Sequence, residues 1–132
     1  MATMRFLARA KRDVDAVWKV ISIPDTIAKW FPGVASSVTE GNIRRVRGGT
    51  DDDAGGVDDI IVTNDDDMRR FQYRVVGAEG HLATVDVLEL GEADTLVIYS
   101  VELASEDLAN AWRPHMEQGI AGLQRYLDAG GE

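Results

Sequence analysis

Asp59 lies in the run Val57-Asp58-Asp59-Ile60-Ile61-Val62, and a carboxylate in so apolar a segment is the first candidate for proton chemistry in this chain. A carboxylate turned toward an apolar volume loses hydration, its pKa rises, and it becomes a base able to take a proton near neutral pH. The same side chain could instead bond a buried arginine or trapped water, or lie on the outer face of a strand. Alternation puts Val57, Asp59 and Ile61 on one face and Asp58, Ile60 and Val62 on the other. Both sets mix acidic and apolar residues, so alternation leaves the inward face open. Tyr73 and Tyr99 carry hydroxyls that could orient a ligand, or rings that fill a core. His115 stands one position before Met116 in a helical apolar stripe and could move protons or simply pack. Trp30, just ahead of Phe31-Pro32-Gly33, is suited to closing the mouth of a cavity or to the core beside it. His81 follows Gly80 at the start of a strand and is expected in solvent.

The other polar clusters fit no catalytic or metal-binding pattern. If Asp51 opened a calcium loop, the bidentate ligand would fall at the twelfth position, where Val62 stands. Asp65-Asp66-Asp67 runs through Met68 into Arg69-Arg70 and a strand, so both acidic clusters read as solvated turns. The chain has no cysteine, which excludes disulfides and thiol catalysis, and its two histidines are too far apart for zinc spacing. Gly48-Gly49 and Gly55-Gly56 lack the lysine, hydroxyl residue and helix that follow a phosphate loop. No Gly-x-Ser-x-Gly elbow presents a nucleophile. Neither a metal nor a cofactor is expected. Arg44, Arg45 and Arg47 form the one basic cluster, with Arg45 and Arg47 on one strand face and Arg44 on the other. They are placed to meet the acidic loop at 51–53 or to guide a carboxylate ligand toward a mouth.

These residues need a frame. Met4, Phe6 and Ala8 alternate with Arg5 and Arg9, the period of a half-buried strand over 3–10. Asp13 then precedes Val14, Val17, Trp18 and Ile21, an N-cap followed by an amphipathic helix. Pro24 ends it, and 25–30 makes a second short helix stopped by Pro32-Gly33. Six β-rich runs follow at 34–40, 43–47, 57–63, 68–76, 82–90 and 95–103, separated by Gly, Asn and Asp turns. The short breaks predict antiparallel hairpins. Alternation turns Phe71, Tyr73 and Val75 inward, with Val85, Val87, Val97, Tyr99 and Val101, and turns Arg70, Gln72, Arg74 and Asp86 outward. Over 105–128 the period returns to 3.6, with Leu108, Trp112, Met116, Gly119, Ile120, Leu123 and Leu127 on one face and Ser105 as cap. Pro114 would clash with the carbonyl of Asn110, so a kink or a fresh helix start is expected there. Seven strands present more inner face than one helix covers, so the sheet must curl, and a curl of this kind encloses a volume.

At 132 residues the chain is expected to form a single domain over 1–132. Its apolar share of 45% and charged share of 28% are those of a globular fold and not of a disordered chain. A net charge of −9 repels phosphate backbones and anionic headgroups, which argues against nucleic acid and membrane-surface partners. No apolar run approaches the ~20 residues that span a bilayer, so no membrane insertion is expected. The first residues lack the basic head and apolar stretch of a signal peptide, and a cytoplasmic location is the expectation.

The element order resembles the helix-grip fold of the START and birch-allergen superfamily (SRPBCC), and the local text resembles its polyketide cyclase/dehydrase-like bacterial branch. The matching residues are Val17-Trp18, then Ile27-Ala28-Lys29-Trp30-Phe31-Pro32-Gly33-Val34, and Asp65-Asp66 followed by Arg69-Arg70 and Tyr73-Arg74, the arginine pair shifted by one place. His81 to Val87, Leu96 to Ser100 and Gly122 to Leu127 extend the likeness along nearly the whole chain. The resemblance implies an α+β fold: a curved seven-stranded antiparallel sheet wrapped around a long C-terminal helix, with two short helices between strands 1 and 2. It also implies an inward acidic residue two positions after the opening valine of the 57–63 strand. Asp59 stands there, one methylene shorter than the family's usual glutamate. The implied function is binding of a hydrophobic or aromatic small molecule in an internal cavity. The lining expected on this fold comprises Trp30, Asp59, Ile61, Phe71, Tyr73, Val85, Val87, Tyr99, Trp112, Met116 and Ile120. One alternative is a cyclase or aromatase that closes a flexible polyketone by aldol chemistry, with Asp59, Tyr73 and His115 moving protons. Another is a protein-interaction module using the acidic face. The chain is expected as a monomer or homodimer.

Overall fold

Apolar and charged side chains alternate along β1 (Ala2–Ala10), which turns Met4, Ala8 and Ala10 into the core and Arg5 and Arg9 to solvent. The computed structural model describes residues 1–49 and 56–132; the acidic loop at 51–53 therefore lies outside the described residues. Asp13 caps α1 (Val14–Ser22) by accepting from the N–H of Asp15, and the helix buries Val14, Val17, Trp18, Val20 and Ile21. A 3-10 turn at Pro24–Thr26 leads into α2 (Ile27–Trp30). Asp25 in that turn accepts from Ser37 Oγ, Thr39 Oγ1 and the Thr39 N–H, which ties the turn to β2.

The six later strands are β2 (Val34–Glu40), β3 (Ile43–Gly48), β4 (Val57–Asp65), β5 (Arg70–Val75), β6 (Leu82–Gly91) and β7 (Asp94–Leu103). With β1 they form one antiparallel sheet in the order β1-β7-β6-β5-β4-β3-β2. The sheet curves around α3 (Glu106–Asp128), the α+β helix grip that the element order predicts. Register delivers the inner face as expected: Phe71 stands opposite Val85, Val85 opposite Tyr99, and all three are buried. On the outer face Arg70 pairs with Asp86 across the strands at 2.8 and 3.2 Å. A bulge between Ile61 and Thr63 shifts the β4 register, and Val62 beside it is exposed.

Ser105 Oγ accepts from the Leu108 N–H and starts α3. No fresh start occurs at Pro114, where the helix continues unbroken. Asn110 and Pro114 are both exposed, so water can satisfy the carbonyl whose helical partner the proline removes. Further along, α3 meets α2 at almost zero clearance. A Cβ on Gly119 would overlap the Phe31 ring, and one on Gly122 would overlap the Trp30 carbonyl and the Pro32 ring. Asp66 is more than a solvated turn residue, since its Oδ1 accepts from Trp18 Nε1 at 2.8 Å. No helix among the described residues is long and apolar enough to cross a membrane.

Candidate functional site

The interior between the sheet and α3 is organised by a pair of charges that face each other across two strands. Antiparallel register places Arg44 of β3 opposite Asp59 of β4, and both point inward. They are 3% and 2% exposed. Arg44 Nε donates to Asp59 Oδ2 at 2.8 Å; Nη2 is 2.8 Å from the same oxygen but too poorly aligned to make a second bond. Arg44 Nη1 donates to the Pro24 carbonyl at 3.1 Å. Its guanidinium lies 4.7 Å from the Tyr73 ring centroid and 5.4 Å from that of Phe71. Burial pushes the Asp59 carboxyl above its ordinary range, Arg44 opposes the rise by charge and hydrogen bond, and Asp58 adds to it. Of the readings open for Asp59, the structure has the buried arginine. Arg45 and Arg47 share the outer face as alternation predicts, reaching Glu40 at 3.7 Å and Asp58 at 3.1 Å.

Tyr73 and Tyr99 hydrogen-bond each other through their hydroxyls. Both are buried, and loss of hydration raises both phenol pKa values, so the two rings stay protonated at neutral pH. His81 is not in solvent but buried, at 2% exposure. Its Nδ1 accepts from the Val75 N–H at 3.0 Å, and its ring lies 5.1 Å from Trp112 and 5.6 Å from Tyr73. Burial first, and the charge of Arg74 second, lower its pKa to about 4. His81 is therefore a neutral imidazole that bonds the end of β5. Its sequence neighbours carry no sign of this, because the cover comes from α3. His115 is exposed on its outer side and packs 4.8 Å from Phe31 and 6.4 Å from Trp112; partial burial lowers its pKa.

Two cavities lie on either side of this polar core. The larger, about 70 Å³, is walled by Ile27, Phe31, Val34, Val46, Val57, Asp59, Tyr73, Val75, Trp112, His115 and Met116. The smaller, about 10 Å³, touches Trp30, Arg44, Phe71, Tyr73, Val85 and Tyr99. Ile27 and Tyr73 line both. The structure thus brings Asp59, Tyr73, His115, Trp112 and Met116 to one cavity and Trp30, Phe71, Val85 and Tyr99 to the other. Ile61, Val87 and Ile120 line neither, although Val87 is buried and the other two pack against the core. Sequence reasoning named Arg44 only within the basic cluster, without pairing it to Asp59, and missed Phe31 and Val46. Val46 carried the usable signal: it shares a strand face with Arg44, and its burial turns Arg44 inward. Among the described residues no three His, Asp or Glu side chains converge in metal-binding geometry.

A curved antiparallel sheet gripping one long helix, with two short helices between its first strands, is the START type of domain. The chain belongs to the family described as polyketide cyclase/dehydrase and lipid transport, whose sequence pattern matches residues 1–128. Among solved structures it is similar to XoxI of Bacillus cereus, at 20% identity over 96% of each chain and a TM-score of 0.82. It is also similar to a START superfamily protein of Mycobacterium smegmatis, at 10% identity over 95% of this chain and 96% of that one, with a TM-score of 0.70. A point mutant of Thalictrum flavum norcoclaurine synthase, in complex with a transition-state analogue, matches at 15% identity over 94% of each chain and a TM-score of 0.66. At these identities the likeness is one of fold. No curated protein matches the chain significantly.

Proposed function

We propose that the chain is a binding or carrier protein for a small hydrophobic or aromatic molecule held between β3–β5 and α3. The observation that carries this reading is the cavity of about 70 Å³, apolar on nearly every wall and placed where the sheet curls over the helix. The norcoclaurine synthase of the same fold was solved with a transition-state analogue, which supports small-molecule binding on this scaffold. Binding is favoured over cyclase chemistry because two of the three candidate proton carriers, Asp59 and Tyr73, are already engaged by other side chains. Asp59 is in an ion pair with Arg44, and the hydroxyls of Tyr73 and Tyr99 bond each other. A cyclase needs an acid and a base within about 3 Å of the reacting atoms. The cavity is smaller than the roughly 150 Å³ that accommodates benzene in an engineered void, so a ligand of that size either extends out of it or shifts a wall side chain. Titration with the uncharged dye N-phenyl-1-naphthylamine tests the reading. The expected result is saturable binding of one dye per chain and a melting temperature that rises with dye concentration. Absence of saturable binding for this and other apolar probes would overturn it.

A further inference from the structure

The outer face of β2–β5, turned away from α3, carries two rows of side chains that are each their own complement. Register sets Glu40 opposite Ile43, Ile43 opposite Ile60 and Ile60 opposite Arg74, so one row across the four strands reads acid, apolar, apolar, base. The next row reads apolar, base, acid, apolar. Val38 is opposite Arg45, Arg45 is opposite Asp58, and Val76 follows through its N–H bond to the Asp58 carbonyl. Neighbouring strands lie about 4.8 Å apart, so the positions within a row are evenly spaced. Val38, Ile43, Ile60 and Val76 are between 36% and 58% exposed. A cluster of exposed aliphatic side chains rimmed by charge is the mark of an interaction surface.

With a net charge of −9, two copies of the chain repel each other over most of their surface. These rows are an exception, because Arg45 and Arg74 balance Glu40 and Asp58. Arg74 donates to the His81 carbonyl at 3.0 Å and enters no ion pair among the described residues. Arg45 reaches Glu40 only at 3.7 Å, and Arg47 holds Asp58 at 3.1 Å. Pairs this exposed are weak, and their carboxylates keep lone pairs for further donors. The other apolar patch on the outer face is not its own complement. Its row runs Leu7, Ile98, Asp86, Arg70, and Arg70 already takes Asp86. Reversed upon itself, that row would set Leu7 against a guanidinium and Ile98 against a carboxylate.

We propose that the outer face of β2–β5 binds a second copy of this chain, about a two-fold axis that runs between β3 and β4, parallel to the strands and in the plane of contact. That axis lays β3 of one protomer on β4 of its partner, and β2 on β5. Ile43 then meets the partner's Ile60, and Val38 meets the partner's Val76. Glu40 faces the partner's Arg74, and Arg45 faces the partner's Asp58. Every contact occurs twice, as an isologous interface requires. The two sheets stack face to face, about 10 Å apart, and α3 and the cavities on the inner face stay free. Four strands and two rows cover less than the ~1,200 Å² of a standard stable interface, so the dimer is a weak one.

Sedimentation equilibrium of the unmodified protein tests this, with a dimer expected at a Kd between about 10 μM and about 1 mM. A monomer mass at every concentration up to about 2 mM would overturn the proposal. Ile43→Glu and Ile60→Lys, each alone, are expected to weaken association at least about tenfold, because each sets a charge against an isoleucine of the partner. Mixed in equal amounts, the two variants are expected to associate again. The introduced carboxylate of one then meets the introduced ammonium of the other, and the second isoleucine pair is intact. A mixture that stays monomeric would overturn the two-fold register. Circular dichroism confirms the fold of each variant. Arg45→Glu with Asp58→Arg repeats the reciprocal test on the charged pair, with the same expected loss and recovery, so a folding failure at either isoleucine leaves the register open to refutation. Leu7→Glu, on the other apolar patch, is expected to keep the parent Kd, and a loss of association there would overturn the assignment to β2–β5.

Discussion

Replacing Arg44 with methionine removes a cation, keeps much of the side chain's volume, and leaves Asp59 as an unpaired carboxylate at 2% exposure. Breaking a buried pair by removing one partner costs about 3–5 kcal/mol, because the remaining charge loses its only compensation. The guanidinium also lies 4.7 Å from the Tyr73 ring centroid, a contact worth a further ~0.5–2 kcal/mol, part of which methionine packing returns. A net loss of about 3–5 kcal/mol is expected at pH 7. The dependence on pH is the sharper part. Burial already raises the Asp59 pKa, and Arg44 supplies the two interactions that hold it down. Without them the folded pKa climbs further above the unfolded value. A carboxyl with a raised folded pKa contributes stability that is present below the unfolded pKa and lost as pH rises through the folded one. The deficit relative to the parent protein should therefore be largest at pH 7–8 and shrink as pH falls toward 4. Urea unfolding of both proteins across that range measures it. A deficit below about 1 kcal/mol at pH 7, or one that grows on acidification, would refute the buried ion pair. The double variant Arg44→Met, Asp59→Leu should recover most of the loss, since replacing both partners by apolar groups is often neutral.

Two other substitutions probe parts of the frame. His81 has a folded pKa near 4 against an ordinary 6.5, so it contributes stability that is present above pH 6.5 and lost as pH falls toward 4. The shift corresponds to about 3 kcal/mol; His81→Gln keeps an acceptor for the Val75 N–H and should flatten the acid limb of the stability curve, and an unchanged limb would place His81 in solvent. Gly122→Ala forces a methyl into the Trp30 carbonyl and the Pro32 ring and should cost about 1–3 kcal/mol by thermal unfolding, whereas a neutral result would mean that α2 and α3 are not in contact.

The order of elements and most inward residues were legible because β5, β6 and β7 alternate cleanly and α3 carries a continuous stripe. The centre of the site was not, because β3 and β4 invert the usual polarity. Ile43 and Ile60 stand opposite each other on the outer face, while the neighbouring pair Arg44 and Asp59 lies inside. Periodicity finds faces by hydrophobicity, and here an apolar pair and a charged pair have exchanged places. Each inversion is stabilised by its cross-strand neighbour, which a single strand read alone does not contain. His81 escaped for a related reason, since Trp112 of α3 packs beside it from a distant part of the chain. The cavity is also smaller than a sheet of seven strands around one helix leads one to expect. Trp30, Phe31 and Trp112 occupy space that the topology alone would leave open.

The glycine contact between α2 and α3 determines how the molecule can make room. With no side chain at Gly119 or Gly122, the Phe31 ring, the Trp30 carbonyl and Pro32 rest directly against the helix backbone, and at Gly122 no rotamer change can loosen that seam. Backbone against backbone at Gly122 therefore holds α2 tightly to the second half of α3. Swelling of the interior is thereby directed to the opposite wall, where Trp112 is a half-buried side chain that can pivot. Among the described residues the fold has a fixed jamb on one side and a movable leaf, Trp112, on the other.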